Sequence, residues 1–172
     1  MEIIAIEKSD FEKCKNFSEE VLKETYDRFK RSDKEREERI YLGKIGELVF
    51  LKYLNAMKKF PSTEGMFDIY KGETNVDQFD FLTKDGRKID VKTAYKTFHK
   101  RILIPWDQFD RGRAKDYYVG VKIIIDKKEG HIYGFTTKER LLENKKINFG
   151  EGDAYWEYLE KLIDIDELLR KL

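Results

Sequence analysis

The chain has 172 residues, a formal net charge of +1 and a charged fraction of 40%, so it can bury one core but is too evenly charged to coat nucleic acid over its whole surface. Cys14 is the single cysteine, which excludes an internal disulfide and any cysteine-rich zinc or iron–sulfur site. No apolar run approaches the roughly 20 residues of a membrane span, and Ile3-Ile4-Ala5-Ile6 is too short for a leader, so the expected setting is the cytoplasm, with no membrane partner.

In chain order, residues 2–6 read as a short strand. Asn16 or Ser18 is placed to cap a helix running to about Arg31, with Val21, Leu22, Tyr26 and Phe29 as its apolar stripe. Ser32-Asp33-Lys34-Glu35 has the capping-box spacing, which opens a second helix from Asp33 to about Met57. The stretch from Tyr41 to Leu54 is apolar almost all round, as in a buried helix. Glu47 is the one acid inside it, and Gly43 lies four residues earlier on the same face. Each interior glycine costs about 1 kcal/mol relative to alanine, a cost that close approach to a sheet or a substrate would explain. Phe60-Pro61 breaks the chain, and Met66 to Tyr70 reads as the next strand.

Residues 79–93 form the most informative segment. Asp85-Gly86 marks a turn between two arms that alternate polar with apolar. A two-residue loop would pair Phe81 with Asp90 and mix acids with apolar residues on both faces. A three-residue loop with Gly86 left-handed pairs Asp80 with Asp90. It places Phe79, Phe81, Ile89 and Val91 on one face, and Asp80, Leu82, Lys88, Asp90 and Lys92 on the other. A slip of one residue inverts every side chain, so this sorting selects the second register. Asp68 and Asp77 are rivals for the upstream acid but are less well placed.

Directly opposed side chains on a sheet have Cβ atoms about 4.5–5.5 Å apart. Two carboxylates that close repel unless a positive charge lies between them. A hard divalent cation with oxygen ligands would supply it. Lys92 stands two residues beyond Asp90 on the same face. Two acids and a lysine around such an ion are suited to attack on a phosphodiester, with the ion activating water and the lysine facing developing negative charge.

Beyond the hairpin, Ile102 to Pro105 reads as extended chain, and Trp106 opens a short helix or turn. Asp116 to Asp126 is the strongest strand signal in the sequence and apolar enough to lie centrally. His131 to Thr136 is another strand, followed by a helix capped by Thr136 or Thr137. Trp156 to Leu172 has the spacing of a terminal amphipathic helix. No repeat or linker divides the chain, so residues 1–172 read as a single domain.

The order of Glu47 on a helix, Asp80 on a strand, and Asp90-Val91-Lys92 on the next strand resembles the PD-(D/E)XK nuclease superfamily. Phe79 stands where that motif often has proline. The resemblance covers about residues 33–126. It implies an α/β fold with a restriction-endonuclease-like core: a central mixed β-sheet flanked by helices, with extra N-terminal and C-terminal helices in this chain. It further implies a metal-dependent endonuclease that cleaves DNA to leave a 5′-phosphate. On this reading Asp80, Asp90 and the Val91 carbonyl hold Mg²⁺ or Mn²⁺, with Glu47 as a further ligand. Lys92 positions the attacking water or stabilises the phosphate.

Charge is distributed to match. Residues 84–115 contain ten basic and four acidic side chains, whereas residues 151–172 contain seven acids and three bases. The basic block is the electrostatic footprint that a phosphate backbone requires. Within it Lys88, Lys96, His99, Lys100, Arg101, Arg111 and Arg113 are the candidate nucleic-acid contacts, with Tyr95 or Trp106 to stack on an unpaired base. Lys88 shares the acidic face but lies near the hairpin tip. A non-catalytic nucleic-acid-binding module, an interaction protein using the acidic C-terminal region, and a nuclease acting on RNA or branched DNA are the alternatives. A homodimer would suit double-strand cutting.

Overall fold

A computed structural model describes residues 1–24, 32–63, 65–69, 80–150 and 152–172. Phe79, Asp77, Tyr70 and the expected helix end near Arg31 lie outside them. A helical layer covers one face of a mixed five-stranded sheet, and a second, three-stranded sheet covers part of the other.

Strand β1 (Glu2–Ala5) is followed by helix α1 (Lys8–Glu24). This helix begins well before Asn16 and Ser18, which the sequence reading had placed as caps. Glu7 donates its N–H to Asp10 at 2.9 Å, and Ser18 lies buried mid-helix with its hydroxyl on the Lys15 carbonyl. Helix α2 (Asp33–Ala56) carries the expected capping box between Ser32 and Glu35. Its buried second half, from Leu42 to Leu54, packs on the sheet together with α1. Among the described residues, no helix is long and apolar enough to cross a membrane.

Residues 66–69 are not a strand. They form turns in which Met66 N–H reaches the Thr63 carbonyl and Asp68 N–H the Gly65 carbonyl. Phe67 packs edge-on against Phe17 at 5.5 Å, with Lys13 over its ring. The segment therefore covers α1 and α2 instead of extending the sheet.

The large sheet contains β2 (Phe81–Leu82), β3 (Lys88–Ala94), β5 (Tyr117–Ile124) and β6 (Glu129–Thr137), in the order β2-β3-β5-β6-β1. Strands β3 and β5 are parallel and the other pairs antiparallel. The crossover between the parallel pair holds β4 (Arg101–Pro105) and the four-residue α3 (Asp107–Asp110), not a long helix. As the apolar run at 116–126 suggested, β5 is central. Val119, Val121 and Ile123 face the helices, and Tyr118 faces the second sheet.

That second sheet joins β4, β8 (Asp153–Tyr158) and β7 (Ile147–Asn148) in the order β4-β8-β7. Ile102 and Ile104 of β4 pack against Tyr118 and Ala94. Helix α4 (Lys138–Glu143) starts at Thr137, whose hydroxyl accepts the Arg140 N–H. The expected terminal helix from Trp156 does not form. Tyr155-Trp156-Glu157-Tyr158 is aromatic and suits a pleated surface, and it pairs with β4 from Ala154 to Tyr158. Asp164 then caps a helix restricted to Ile165–Leu169, α5.

Gly46 shows how α2 seats on the sheet. A Cβ there would lie 2.0 Å from Thr93 Oγ1 and 3.1 Å from Thr93 Cβ, so the helix backbone rests directly on β3. Gly43 has nothing within 4 Å of such a Cβ. The two glycines therefore predict opposite outcomes. Gly46→Ala should destabilise by about 1–3 kcal/mol through overpacking, partly restored by Thr93→Ala. Gly43→Ala should stabilise by about 1 kcal/mol from helix propensity. Urea denaturation of the three variants checks both signs.

Candidate active site

The hairpin takes the register that its face pattern predicts. Phe81 pairs with Ile89 and Leu82 with Lys88. Thr83 N–H donates to the Arg87 carbonyl and Gly86 N–H to the Thr83 carbonyl, each at 3.0 Å, closing a three-residue loop. Gly86 takes φ +79°, the left-handed conformation that glycine adopts without strain. Thr83 Oγ1 accepts the Arg87 N–H at 3.0 Å and binds Asp85, which ties the turn to its own arms. Phe81, Ile89 and Val91 are buried against α2.

The same register brings Asp80 opposite Asp90. Asp80 N–H donates to the Ile89 carbonyl at 2.9 Å, and Asp80 Oδ2 accepts the Val91 N–H at 2.6 Å. The carboxylate thus continues the ladder where β2 ends. Both backbone groups of a strand residue point to one edge, so the Val91 carbonyl faces this edge too. Lys92 Nζ contacts Asp90 Oδ2. That oxygen is buried, and the ammonium is its charged partner.

Glu47 enters from α2, one residue after the contact at Gly46. It accepts a hydrogen bond from Lys44 at 2.5 Å, and Lys44 also donates to the Met66 carbonyl at 2.8 Å. Lys44 escaped the sequence reading, although its i,i+3 spacing from Glu47 was the available signal. Lys115 is the last residue of the basic block and carries no motif of its own. It is buried, donates to the Arg113 carbonyl at 3.1 Å, and lies in the field of Asp90, Lys92, Lys88 and Asp80.

The electrostatics join the three acids. Burial, then Glu47, then Asp90 push the Asp80 carboxyl well above the ordinary carboxylate range; the Val91 N–H and Lys92 oppose the shift only in part. Burial works against the Lys92 charge, but Asp90, Asp80 and Glu47 together outweigh it and raise the lysine above its usual value. Lys92 is therefore a firm ammonium at neutral pH, and its side chain keeps 24% exposure. Tyr118, directly beside Asp90 on β5, is pushed up by burial, and its hydroxyl accepts the Lys115 N–H at 2.9 Å.

Among the described residues, no group of three or more His, Cys, Asp or Glu side chains is gathered in a metal-holding arrangement. Lys92 lies against Asp90 and Lys44 against Glu47. The donor set is nevertheless all oxygen: Asp80, Asp90, Glu47 and the Val91 carbonyl. Asp80 is the acid left without an ammonium of its own, and its carboxyl is the one shifted upward. These residues fit a hard divalent cation and offer nothing to a soft one.

The candidate nucleic-acid contacts have different surroundings. Lys96, Lys100 and Arg111 are exposed. Lys88 donates its backbone N–H to Asp116 at 2.8 Å, which aligns β3 with β5. His99 accepts the N–H groups of Tyr95 and Lys96 at its Nδ1, each at 3.4 Å. Arg101 is engaged within the chain: it donates to the Tyr158 hydroxyl at 2.6 Å and stacks 5.0 Å from the Trp156 ring. Arg113 is likewise paired with Asp107 at 2.7 Å. Of the two expected stacking aromatics, Tyr95 is half-buried against the core. Trp106 carries Lys146 over its ring at 4.4 Å.

Comparison with protein-family models, with curated proteins and with solved structures finds no match to this chain.

The upward shift of Asp80 has a testable sign. Between the unfolded carboxylate value and its raised folded value, the native state binds the extra proton. Ionised Asp80 thus costs stability above that window, and the cost fades as pH falls. In EDTA, Asp80→Asn keeps the acceptor for Val91 N–H and removes the charge. Its melting temperature should exceed wild type at pH 7.5, and the gap should narrow towards pH 4. Paired thermal melts across this range check it; a variant less stable at pH 7.5 contradicts the assigned shift.

Proposed function

We propose that this protein is a metal-dependent nuclease of the PD-(D/E)XK kind, hydrolysing phosphodiester bonds in DNA. The observation that carries the reading is the shared field at Lys92. Three acids from three different segments, Glu47 on α2, Asp80 just before β2 and Asp90 on β3, all lie in the field of one half-buried lysine. A surface ion pair needs only one acid. Three acids converging on one lysine, with Asp80 forced away from its charged form, suit a site that meets a cation and a phosphate together.

Mg²⁺ or Mn²⁺, held by Asp80, Asp90, Glu47 and the Val91 carbonyl, would supply Lewis acidity and a nucleophilic water. The chain's own residues do the rest. As an ammonium, Lys92 donates to a phosphate oxygen or to the attacking water where negative charge develops; it does not accept a proton. Lys115 adds a second positive charge beside Asp90. The pair Lys44–Glu47 fixes the helix acid in one rotamer. The exposed Lys96, Lys100 and Arg111 supply phosphate contacts outside the cleft. A binding module without cleavage is the second reading, favoured by the lysines already paired with Asp90 and Glu47.

Cleavage of labelled DNA in Mg²⁺, Mn²⁺, Ca²⁺ and EDTA separates the two. Mg²⁺ and Mn²⁺ should support cutting, Ca²⁺ binding with little cutting, and EDTA neither turnover nor product. Asp90→Asn should abolish cleavage. Lys92→Ala should lower it by about 10²–10³-fold while changing the salt slope of DNA binding by only about one. Equal cutting in EDTA, or full activity of Asp90→Asn, would refute the proposal.

A further inference from the structure

The connection from β3 to β4 holds an exposed aromatic side chain in a rigid frame. Phe98 is 70% exposed, and among the described aromatic residues only Phe60, at 78%, is more so. The turn beneath it is held at several points. His99 N–H donates to the Lys96 carbonyl at 3.0 Å, and the His99 ring accepts two backbone N–H groups through Nδ1. Lys122, reaching over from β5, donates to the Thr97 carbonyl at 3.3 Å and the His99 carbonyl at 3.4 Å. The His99 ring lies edge-on between Tyr95 at 5.0 Å and Phe98 at 4.9 Å. A flexible loop would let a phenylalanine fold back onto apolar neighbours. This one is presented to solvent.

Its surroundings are cationic. No acid occurs from Val91 to Trp106, while Lys92, Lys96, Lys100 and Arg101 all do. Lys96 Nζ lies 5.9 Å from the Phe98 ring. Burial and the nearby Lys96, Lys122 and Arg39 lower the His99 pKa, which keeps the imidazole neutral and its Nδ1 an acceptor. The loop begins only three residues after Lys92, and Phe98 lies within about 20 Å of chain from it.

We infer that Phe98 is a stacking platform for an unpaired base, and that the substrate carries a single-stranded segment beside the cleavage site. Phosphates on that segment meet Lys96 and Lys100, and the base lies on the ring. A base inside an intact duplex has both faces covered and has no use for the platform. A protein partner would find the ring but no acid-matching reason for the surrounding lysines to be its rim. This inference rests on the nuclease reading only for what happens after binding, so binding is measured without metal.

The experiment is fluorescence anisotropy in EDTA with a blunt duplex, the same duplex with a single-stranded extension, and the extension alone. Wild type should bind the extended duplex about tenfold more tightly than the blunt one. Phe98→Ala should lose about tenfold on the extended form, the order of one base–aromatic stack, with blunt binding unchanged. Phe98→Trp should restore the preference. The position is exposed, so the variants should melt with wild type. Equal affinity of wild type for blunt and extended DNA, retention of the preference in Phe98→Ala, or no DNA binding at all would each overturn the inference. A preserved preference in a protein that cuts nothing would sink the nuclease reading and leave the platform standing.

Discussion

The seating of α2 on β3 at Gly46 is the contact on which the rest depends. With no Cβ at that point, the helix backbone comes down onto Thr93. The next residue, Glu47, is thereby delivered beside the strand that carries Asp90 and Lys92. A larger residue would lift the helix and separate the acid of one layer from the acids of the other. The helix face that makes this contact also buries Leu42, Ile45, Val49 and Leu54 against the sheet. The apolar core and the polar cluster are thus positioned by one interface.

The cluster runs against stability. Asp80 is buried beside two other acids and is forced away from its charged form. A fold selected only for stability would place apolar residues or a matched pair there. Here the compensation is partial: the Val91 N–H and Lys92 act on Asp80, Lys115 lies in the field of Asp80 and Asp90, and Lys44 pairs with Glu47. Unrelieved repulsion in a defined cleft is what a cation or a phosphate-facing site needs before its ligands arrive. The fold meets that cost through the continuous core of α2, β3 and β5 around it.

The second sheet serves a different purpose. It covers one end of the large sheet through Ile102, Ile104 and Leu159. Its outer side carries Arg101, enclosed by Trp156, Tyr158 and Phe149. Such cation–π contacts contribute about 0.5–2 kcal/mol each, and here they join β4 to β8. One of the candidate nucleic-acid contacts, Arg101, is therefore used to hold a sheet together.

Local rules settled much of this in advance. The Ser32–Glu35 box, a cap at Thr136 or Thr137, the central run of β5 and the Asp85-Gly86 turn were legible because each depends on neighbours in sequence. The parity of the hairpin determined that Asp80 and Asp90 would meet, since alternation leaves only one register with a clean apolar face. Other features depended on contacts between distant segments. Whether Trp156 to Tyr158 became helix or strand was decided by β4 offering an edge to pair with. Residues 66–69 turned over α1 because Phe17 and Lys13 held Phe67. Lys115 gained its importance from burial near Asp90 and Asp80, distant in the chain, and Lys44 from burial between Glu47 and the Met66 carbonyl. Phe98 became prominent only because Lys122 from β5 and the His99 ring of the loop itself hold its turn in place. Sequence periodicity reports which face a residue occupies; it does not report what another element will place against that face.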